Sequence, residues 1–598
     1  MRSIQRRASV FFLILLSIVL SACNQESGSP SEANDQQTTA EKTQVERVLL
    51  NGNIYTFNWP APSASGNPSQ KAPITEGSWQ ADAQAVAINK GKIVAVGSNE
   101  DIQKLAGEQT DKVDLKGATV IPGFIDSHVH IAELGQILTR INLTDVATPE
   151  AAIKTIQSKL QTSKIAKGEW IIGQGWDEGA WANNYPDKSL LDDHFPDNPV
   201  LLRSLHGFAV WVNSNALEIA GIDKSTQPPV GGEIVKNDAG EPTGILLNRA
   251  TTLIQNKIPE PTDAQFEAWV LTGLQQMAND GYVAVHQAGA ERKHIKAFQS
   301  LREQNKLPIR VYAMLSARDK GLADEWIAKG PLIDPEGWLD IRSVKAYYDG
   351  ALGSRGARLL EDYSDKPGHK GVAGQGYGFD QELVERLMAS GFQVGIHAIG
   401  DAGNRETLDF IQAVYQKHSG VHRNRHRIEH AQVIHAEDMN RLAKYELIAS
   451  MEPAHAVEDK TWAEDRLGKE RIAGAYAWRS LIKAGTKLTL NSDLPGSDHS
   501  IFYGLHSAVT RTDKNFKPEG GWYSGQNLSI EEAIRGFTEG GAYAAFREME
   551  TAKIAKGYWA DLTVIDLDIM NLSQQSPKDI LNAKVLMTWV AGERVDEH

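Results

Sequence analysis

The stretch Val120-Ile121-Pro122-Gly123-Phe124-Ile125-Asp126-Ser127-His128-Val129-His130 ends an apolar run in two histidines two residues apart. In a strand such residues project to the same side, so His128 and His130 present two imidazoles together. Imidazole suits zinc and similar divalent ions. A bare His-x-His in a loop is usually only polar. Here the apolar strand, the Pro-Gly before it and Asp126 favour a metal contact. Two histidines do not hold a catalytic ion, so further ligands belong at the ends of later strands. Gln393-Val394-Gly395-Ile396-His397 and Arg427-Ile428-Glu429-His430 each end a strand in histidine, and Leu488-Thr489-Leu490-Asn491-Ser492-Asp493 ends one in a carboxylate. Singly, each histidine is explained as well by packing; as a set at one barrel mouth they read as ligands. An unpaired buried aspartate is costly, so metal binding or proton transfer suits Asp493 better than packing.

The elements that must position these residues are legible as a pattern. The centre alternates short apolar strands with helical stretches, the signature of βαβ units and a parallel sheet. Eight strands are predicted near 124–130, 282–286, 310–314, 341–347, 392–397, 426–430, 447–451 and 487–492. Eight such units predict an α/β fold, a (β/α)8 TIM-like barrel over 120–545, whose functional residues sit at the C-terminal strand ends. Residues about 135–265 then form an insertion after the first strand, carrying Trp170, Trp176, Trp181 and Trp211. Strand patterns broken by Asn-Gly and Lys-Gly turns near 48–55 and 85–96, with matching ones near 560–566 and 585–590, predict a small β-sandwich domain formed from both termini, 45–119 and 546–598.

At 598 residues the chain exceeds one ordinary domain. Its formal charge of -14 argues against a nucleic-acid partner. The first 23 residues read as a processing signal: Arg2, Arg6 and Arg7 precede an apolar run over 10–20 that is too short to span a membrane comfortably. Leu20-Ser21-Ala22-Cys23 resembles a bacterial lipobox, in which Cys23 is lipidated and becomes the mature N-terminus. Cys23 is the only cysteine, so no disulfide forms within one chain. Residues 24–44 are polar and read as a flexible tether. Asn24 lacks the acidic character that retains lipoproteins at an inner membrane, which favours a lipid-anchored, periplasm-facing place at an outer membrane.

The motifs around these candidates resemble the amidohydrolase superfamily, and more narrowly amidohydrolase family 3, the branch of N-substituted formamide deformylase and YtcJ-like proteins. The resemblance spans nearly everything from Val48 to Arg594. It rests on Pro122 to His130, on Lys345-Ala346-Tyr347-Tyr348-Asp349-Gly350-Ala351-Leu352-Gly353-Ser354-Arg355, on His397-Ala398-Ile399-Gly400-Asp401, on Ile428-Glu429-His430 and on Ser492-Asp493. It implies a small-molecule amide substrate and a divalent metal cofactor, two zinc ions or one. His128 and His130 would hold the more buried ion with Asp493, and His397 and His430 the more exposed one. Lys345 would bridge the ions in its N-carboxylated form; the alternative is an ordinary lysine paired with Asp349 or substrate. Asp493 would accept a proton from water and return it to the leaving amine, with a metal or a nearby histidine such as His430 stabilising the oxyanion.

Further candidates carry less. His206, His286 and His455 could contact substrate, or make structural hydrogen bonds. Arg355 could clamp a substrate carboxylate, or brace its Gly-rich loop. Ser450-Met451-Glu452-Pro453-Ala454-His455 departs from the family's commoner Gln-Pro-x-His, with Glu452 in place of Gln. The function expected is hydrolysis of a non-peptide C–N bond in an N-acyl, N-formyl or cyclic amide, with an apolar substituent suiting the Trp-bearing insertion. The rivals are an esterase or lactonase on the same centre, and a silent ligand-binding lipoprotein. Loss of a ligand residue would favour the silent protein, and none is lost.

Overall fold

The computed structural model describes residues 45–597 except 145, 163–164, 178–180, 182–184, 205–207 and 230. Cys23 and His206 therefore lie outside the described residues.

Eight parallel strands form in the order the sequence predicts: β1 (Phe124–Val129), β2 (Tyr282–Ala290), β3 (Arg310–Ser316), β4 (Leu339–Tyr347), β5 (Gln393–Ala398), β6 (Arg427–His430), β7 (Ile448–Met451) and β8 (Lys487–Leu490). Each pairs with its neighbour in chain order, from β1 round to β8. The boundaries differ most at β2, which runs on to Ala290, and by two residues each at β3, β4 and β8. Strands covered on both faces read as near-continuous apolar runs, and β1, β3, β6 and β7 are buried along their whole length.

The seam between β8 and β1 closes by contacts just beyond the regular ladder. Ser127 Oγ donates to the Leu490 carbonyl at 3.0 Å. Asp493 N donates to the His128 carbonyl and His130 N to the Leu494 carbonyl, both at 3.0 Å. Val129 and Leu494 make a parallel bridge. Closing the barrel is thus the same event as bringing Asp493 beside the His128–His130 pair.

The helix Ile131–Thr139 leaves β1, and the helix Asp263–Asn279 leads back into β2. They touch so closely that a Cβ on Gly135 would lie 1.7 Å from the Trp269 carbonyl oxygen. Between them a six-stranded mixed sheet is inserted, in the order Ile141–Asn142, Ile171–Trp176, Val200–Ser204, Ala209–Val212, Pro242–Asn248, Gly232–Lys236. Trp176, Trp181 and Trp211 pack on one another in its core, with ring centroids 5.2 Å and 5.8 Å apart. Those rings stabilise the inserted sheet and face no open surface, the packing role that insertion tryptophans more often take.

Strands from both ends of the chain meet in two mixed sheets. One orders Lys92–Gly97, Ala85–Asn89, Arg47–Leu50 and Asp111–Asp114; the other orders Asn53–Ile54, Thr119–Pro122, Leu562–Ile565, Val585–Val590 and Glu593–Arg594. Lys90 (φ 50°) and Gly91 (φ 72°) turn the first hairpin, both in the left-handed region that such a turn requires. Leu49, Ile88, Val120, Val564 and Trp589 share one core across the two sheets.

A buried ion pair joins this β region to the barrel floor. Arg310 of β3 donates to Asp561 through Nε at 2.8 Å and Nη2 at 3.1 Å, and its guanidinium lies 3.7 Å over the Trp559 ring. Asp561 also accepts from Thr551 Oγ1 at 3.1 Å and Ala591 N at 2.8 Å. Deleting one partner of a buried pair leaves the other charge uncompensated, at about 3–5 kcal/mol. Asp561→Ala is therefore expected to lower unfolding stability by about that amount, read from the urea midpoint. A midpoint equal to wild type would show that the pair is not a structural tie.

Candidate metal centre

The site grows from β1 and β6. Residues two apart on a barrel strand face the same way, so Arg427 and Glu429 both point into the barrel. His128 Nδ1 stands 2.6 Å from Glu429 Oε2. Arg427 donates through Nη2 to Glu429 Oε2 at 3.0 Å, to the Ser127 carbonyl at 2.7 Å and to Ser450 Oγ at 2.9 Å. His128, Arg427 and Glu429 have no solvent exposure. Burial works against the Glu429 charge, yet Arg427 and His128 hold its carboxyl far below the usual range. Burial, with Lys345 alongside, pushes His128 down to about 4, so it is neutral at pH 7, the form that ligates a metal. Fixing one ring nitrogen on a carboxylate leaves Nε2 aimed at the mouth.

Around that nitrogen the predicted ligands converge. Asp493 Oδ1 lies 3.2 Å from His130 Nε2 and 3.6 Å from His128 Nε2. Ligand atoms of His128, His130 and Asp493 all fall within 4.8 Å of one another, as do those of His430, His455 and Asp493. The second group pairs His430 with His455, where the resemblance implied His397. The His397 ring remains adjacent, 4.5 Å from that of His430. Burial and the neighbouring His430 hold His397 well below the usual imidazole range.

The donor set fits a cation. His397 Nε2, His430 Nδ1 and Glu452 Oε1 are buried with no hydrogen-bond partner, and buried polar atoms seldom go unsatisfied. His397 Nε2 has Asp349 Oδ1 at 3.7 Å, and His430 Nδ1 has Glu452 Oε2 at 3.3 Å. Glu452 thus sits between His430 and His455, whose Nδ1 is 3.8 Å away. Two of the ligand residues occupy backbone space that favours glycine: His430 has φ 72° and Asp493 φ 51°. Such conformations cost energy and persist where the surroundings enforce them, commonly at functional sites.

Lys345 is buried at the end of β4 with Nζ 2.9 Å from His128 Nε2. Burial lowers its pKa. It does not pair with Asp349. That carboxylate accepts N–H groups from Ile399, Gly400 and Arg358 at 2.9, 2.9 and 2.8 Å, and so fixes the start of the helix after β5.

The remaining expectations divide. His455 joins the centre. His286 does not reach substrate: it lies beneath the ligands, 1% exposed, with Nδ1 3.0 Å from Arg427 Nη1 and its ring 4.8 Å from Tyr312. Arg355 Nε and Nη2 grip Asp365 at 3.0 Å and 2.7 Å, the contact expected of an arginine that braces the loop after β4. Glu429 and Arg427 were not singled out from sequence, although two charges two apart in an apolar strand were a usable signal. Asp126, which the sequence offered only as context for the His pair, accepts from Ser492 Oγ at 2.7 Å and His128 N at 3.2 Å, and burial raises it to about 7.

Comparison with known proteins agrees with this geometry. The amidohydrolase family is matched over residues 111–596. The putative amidohydrolase YtcJ of Bacillus subtilis (strain 168) is 32% identical over 492 residues, covering 81% of this chain and 91% of its own. N-substituted formamide deformylase of Arthrobacter pascens is 26% identical over 531 residues, covering 85% and 94%. Among solved structures, an uncharacterized metal-dependent hydrolase from Pyrococcus furiosus aligns with a TM-score of 0.67 at 25% identity, covering 88% of this chain and 99% of its own.

Glu429 has room only because β5 carries glycine opposite it: a Cβ on Gly395 would lie 2.4 Å from Glu429 Oε1 and 2.6 Å from Met314 Cε. Gly395→Ala is expected to displace the carboxylate that orients His128 and to weaken metal affinity about 10- to 100-fold. Competition with a graded chelator measures this, and affinity equal to wild type would remove Glu429 from that role.

Proposed function

The chain belongs to the amidohydrolase family and is a hydrolase of carbon–nitrogen bonds other than peptide bonds; on that premise we propose that it cleaves an N-acyl, N-formyl or cyclic amide, with Asp493 moving the proton. The observation that carries this is the sharing of Asp493 between two groups of histidines, His128 with His130 and His430 with His455, at ligand spacing. Divalent ions held there, two zinc ions in this proposal, would lower the pKa of a water from about 15.7 to about 7 and polarise the substrate carbonyl.

The chain's own residues supply the rest. Asp493 is ionised: burial opposes its charge, but His128, His130 and His430 around it hold its pKa well below the ordinary carboxylate value. It accepts a proton from the attacking water and returns it to the amine as the C–N bond breaks. His430 and His455 would hold the ion that stabilises the carbonyl oxygen as that atom gains charge. Lys345, whose pKa burial lowers, would lose its ammonium proton to solvent, add carbon dioxide through Nζ with loss of a second proton, and so become an N-carboxylated, anionic group able to help hold the ions. Its Nζ lies 2.9 Å from the His128 Nε2 that faces the mouth, a nearness that supports this reading.

Elemental analysis of the purified protein, with a panel of N-acyl amines, cyclic amides and matched esters, tests the proposal. His128→Ala is expected to lose both metal and turnover. Asp493→Asn is expected to keep much of the metal while turnover falls about 10²- to 10⁴-fold, the range of a general acid–base group. Full activity after exhaustive removal of metal would overturn the mechanism, and a preference for esters would shift the substrate class.

The leader sequence ending in Cys23 supports a cell-envelope location, with a lipid anchor on that residue. Cys23→Ser is expected to move the protein from the membrane to the soluble fraction on cell fractionation; continued membrane retention would count against lipidation.

A further inference from the structure

A row of three side chains crosses the barrel mouth on adjacent strands. Tyr347 of β4 is in register with His397 of β5. On the other side Ser316 of β3 is in register with Lys345, and Ala317 N donates to the Lys345 carbonyl at 3.0 Å. Two residues beyond Ser316, Arg318 comes level with Tyr347, and its guanidinium carbon lies 3.7 Å over the Tyr347 ring. The same ring has Lys345 Nζ 5.1 Å from its centroid and the His397 ring 5.9 Å away. Arg318 thus stands in the layer of the metal-centre residues, two strand spacings or about 10 Å of backbone from His397.

Its charge is not spent. Arg318 is exposed, and none of the ion pairs among the described residues uses its guanidinium. Its backbone N–H donates to Ser316 Oγ at 3.3 Å, and a second ring, that of Tyr377, lies 5.9 Å from the guanidinium. Arg355, the arginine that the sequence offered as a carboxylate clamp, already pairs with Asp365 through Nε and Nη2. The neighbouring Asp319 caps the following helix through Leu322 N at 2.9 Å and does not turn to Arg318. Stacking on Tyr347 holds the planar fork with its N–H edges free, the arrangement that receives a carboxylate in two parallel hydrogen bonds. Gly289 at the end of β2 leaves space for the ring to take this place, since a Cβ there would lie 2.7 Å from the Tyr347 hydroxyl.

We propose that Arg318, presented by Tyr347, is a carboxylate-binding subsite, and that the amide cleaved here carries a carboxylate several atoms from the scissile bond. This rests on the amide-hydrolase proposal above. Water adds across the C–N bond: the acyl carbon takes the hydroxyl, the nitrogen takes the proton, and the substrate's carboxylate is unchanged. In a chain of net charge -14, a guanidinium with no ion pair among the described residues favours an anionic group at this point, against the opposing charges of Glu133, Glu291 and Asp493 that also act on the Tyr347 ring.

N-formyl-6-aminohexanoate and N-hexylformamide have chains of equal carbon count and differ chiefly in the carboxylate. The metal-loaded full chain is expected to favour the former in kcat/KM. Arg318→Met is expected to reduce that preference about 10- to 100-fold, the range of a charge-assisted hydrogen bond, chiefly through KM, and Arg318→Lys to restore part of it. A ratio unchanged by Arg318→Met, or a wild-type preference for the neutral amide, would overturn the subsite. Calorimetry of both compounds on Asp493→Asn protein reads the same ratio in binding. If neither compound is hydrolysed with metal in place, the N-formyl reading fails, while the binding ratio still decides for or against Arg318.

Discussion

A carboxylate placed on the axis of a barrel, without solvent, sets the terms for everything around it. Glu429 is stable there because Arg427 lies against it and His128 Nδ1 shares its Oε2 with the Arg427 guanidinium. Alone, a buried ion of either sign would cost several kcal/mol, so the pair and its hydrogen bonds must form together. Arg427 spends its remaining donors on the β1 backbone, on Ser450 of β7 and on His286 of β2. One buried charge pair thereby locks four strands to one another and fixes which nitrogen of His128 faces the mouth.

Backbone geometry completes what that lock begins. Strand alternation would turn His430 away from the interior that Glu429 occupies. The left-handed turn at His430 and Ala431 (φ 72° and 43°) brings the imidazole back to the centre. A similar turn at Asp493 swings its carboxylate across the β8–β1 seam, where Asp126 and Ser492 hold the two ends together. The strain at these positions is offset by a closed hydrogen-bonded seam, so the ligand cluster and barrel closure stabilise each other. The orphan atoms at His397, His430 and Glu452 mark what the protein alone leaves unsatisfied at this point.

The chemistry was legible in sequence wherever it depended on strand periodicity. His128 with His130, His397, His430 and Asp493 each close an apolar run, and a parallel barrel sends the C-terminal ends of its strands to one mouth. The eight strands were legible for the same reason: their apolar runs are dictated by burial on both faces. Partners chosen by side-chain reach across the barrel were not legible. Nothing in the spacing assigns Lys345 to His128 over Asp349, His455 to the His430 group, or Arg355 to Asp365. Those choices are made by distances between residues far apart in the chain.

The sequence by itself determined the strand order, the mouth at which chemistry is possible, and the residue types able to hold a metal there, because periodicity and composition act locally along the chain. Only the tertiary structure decided which of those residues touch. It drew the insertion's tryptophans into a core of their own, set His286 beneath the site, and left Arg318 with its charge free beside Tyr347. The physical reason is that burial and charge compensation are settled over the whole fold at once: a guanidinium is structural or available for binding according to whether a carboxylate from elsewhere in the chain reaches it first.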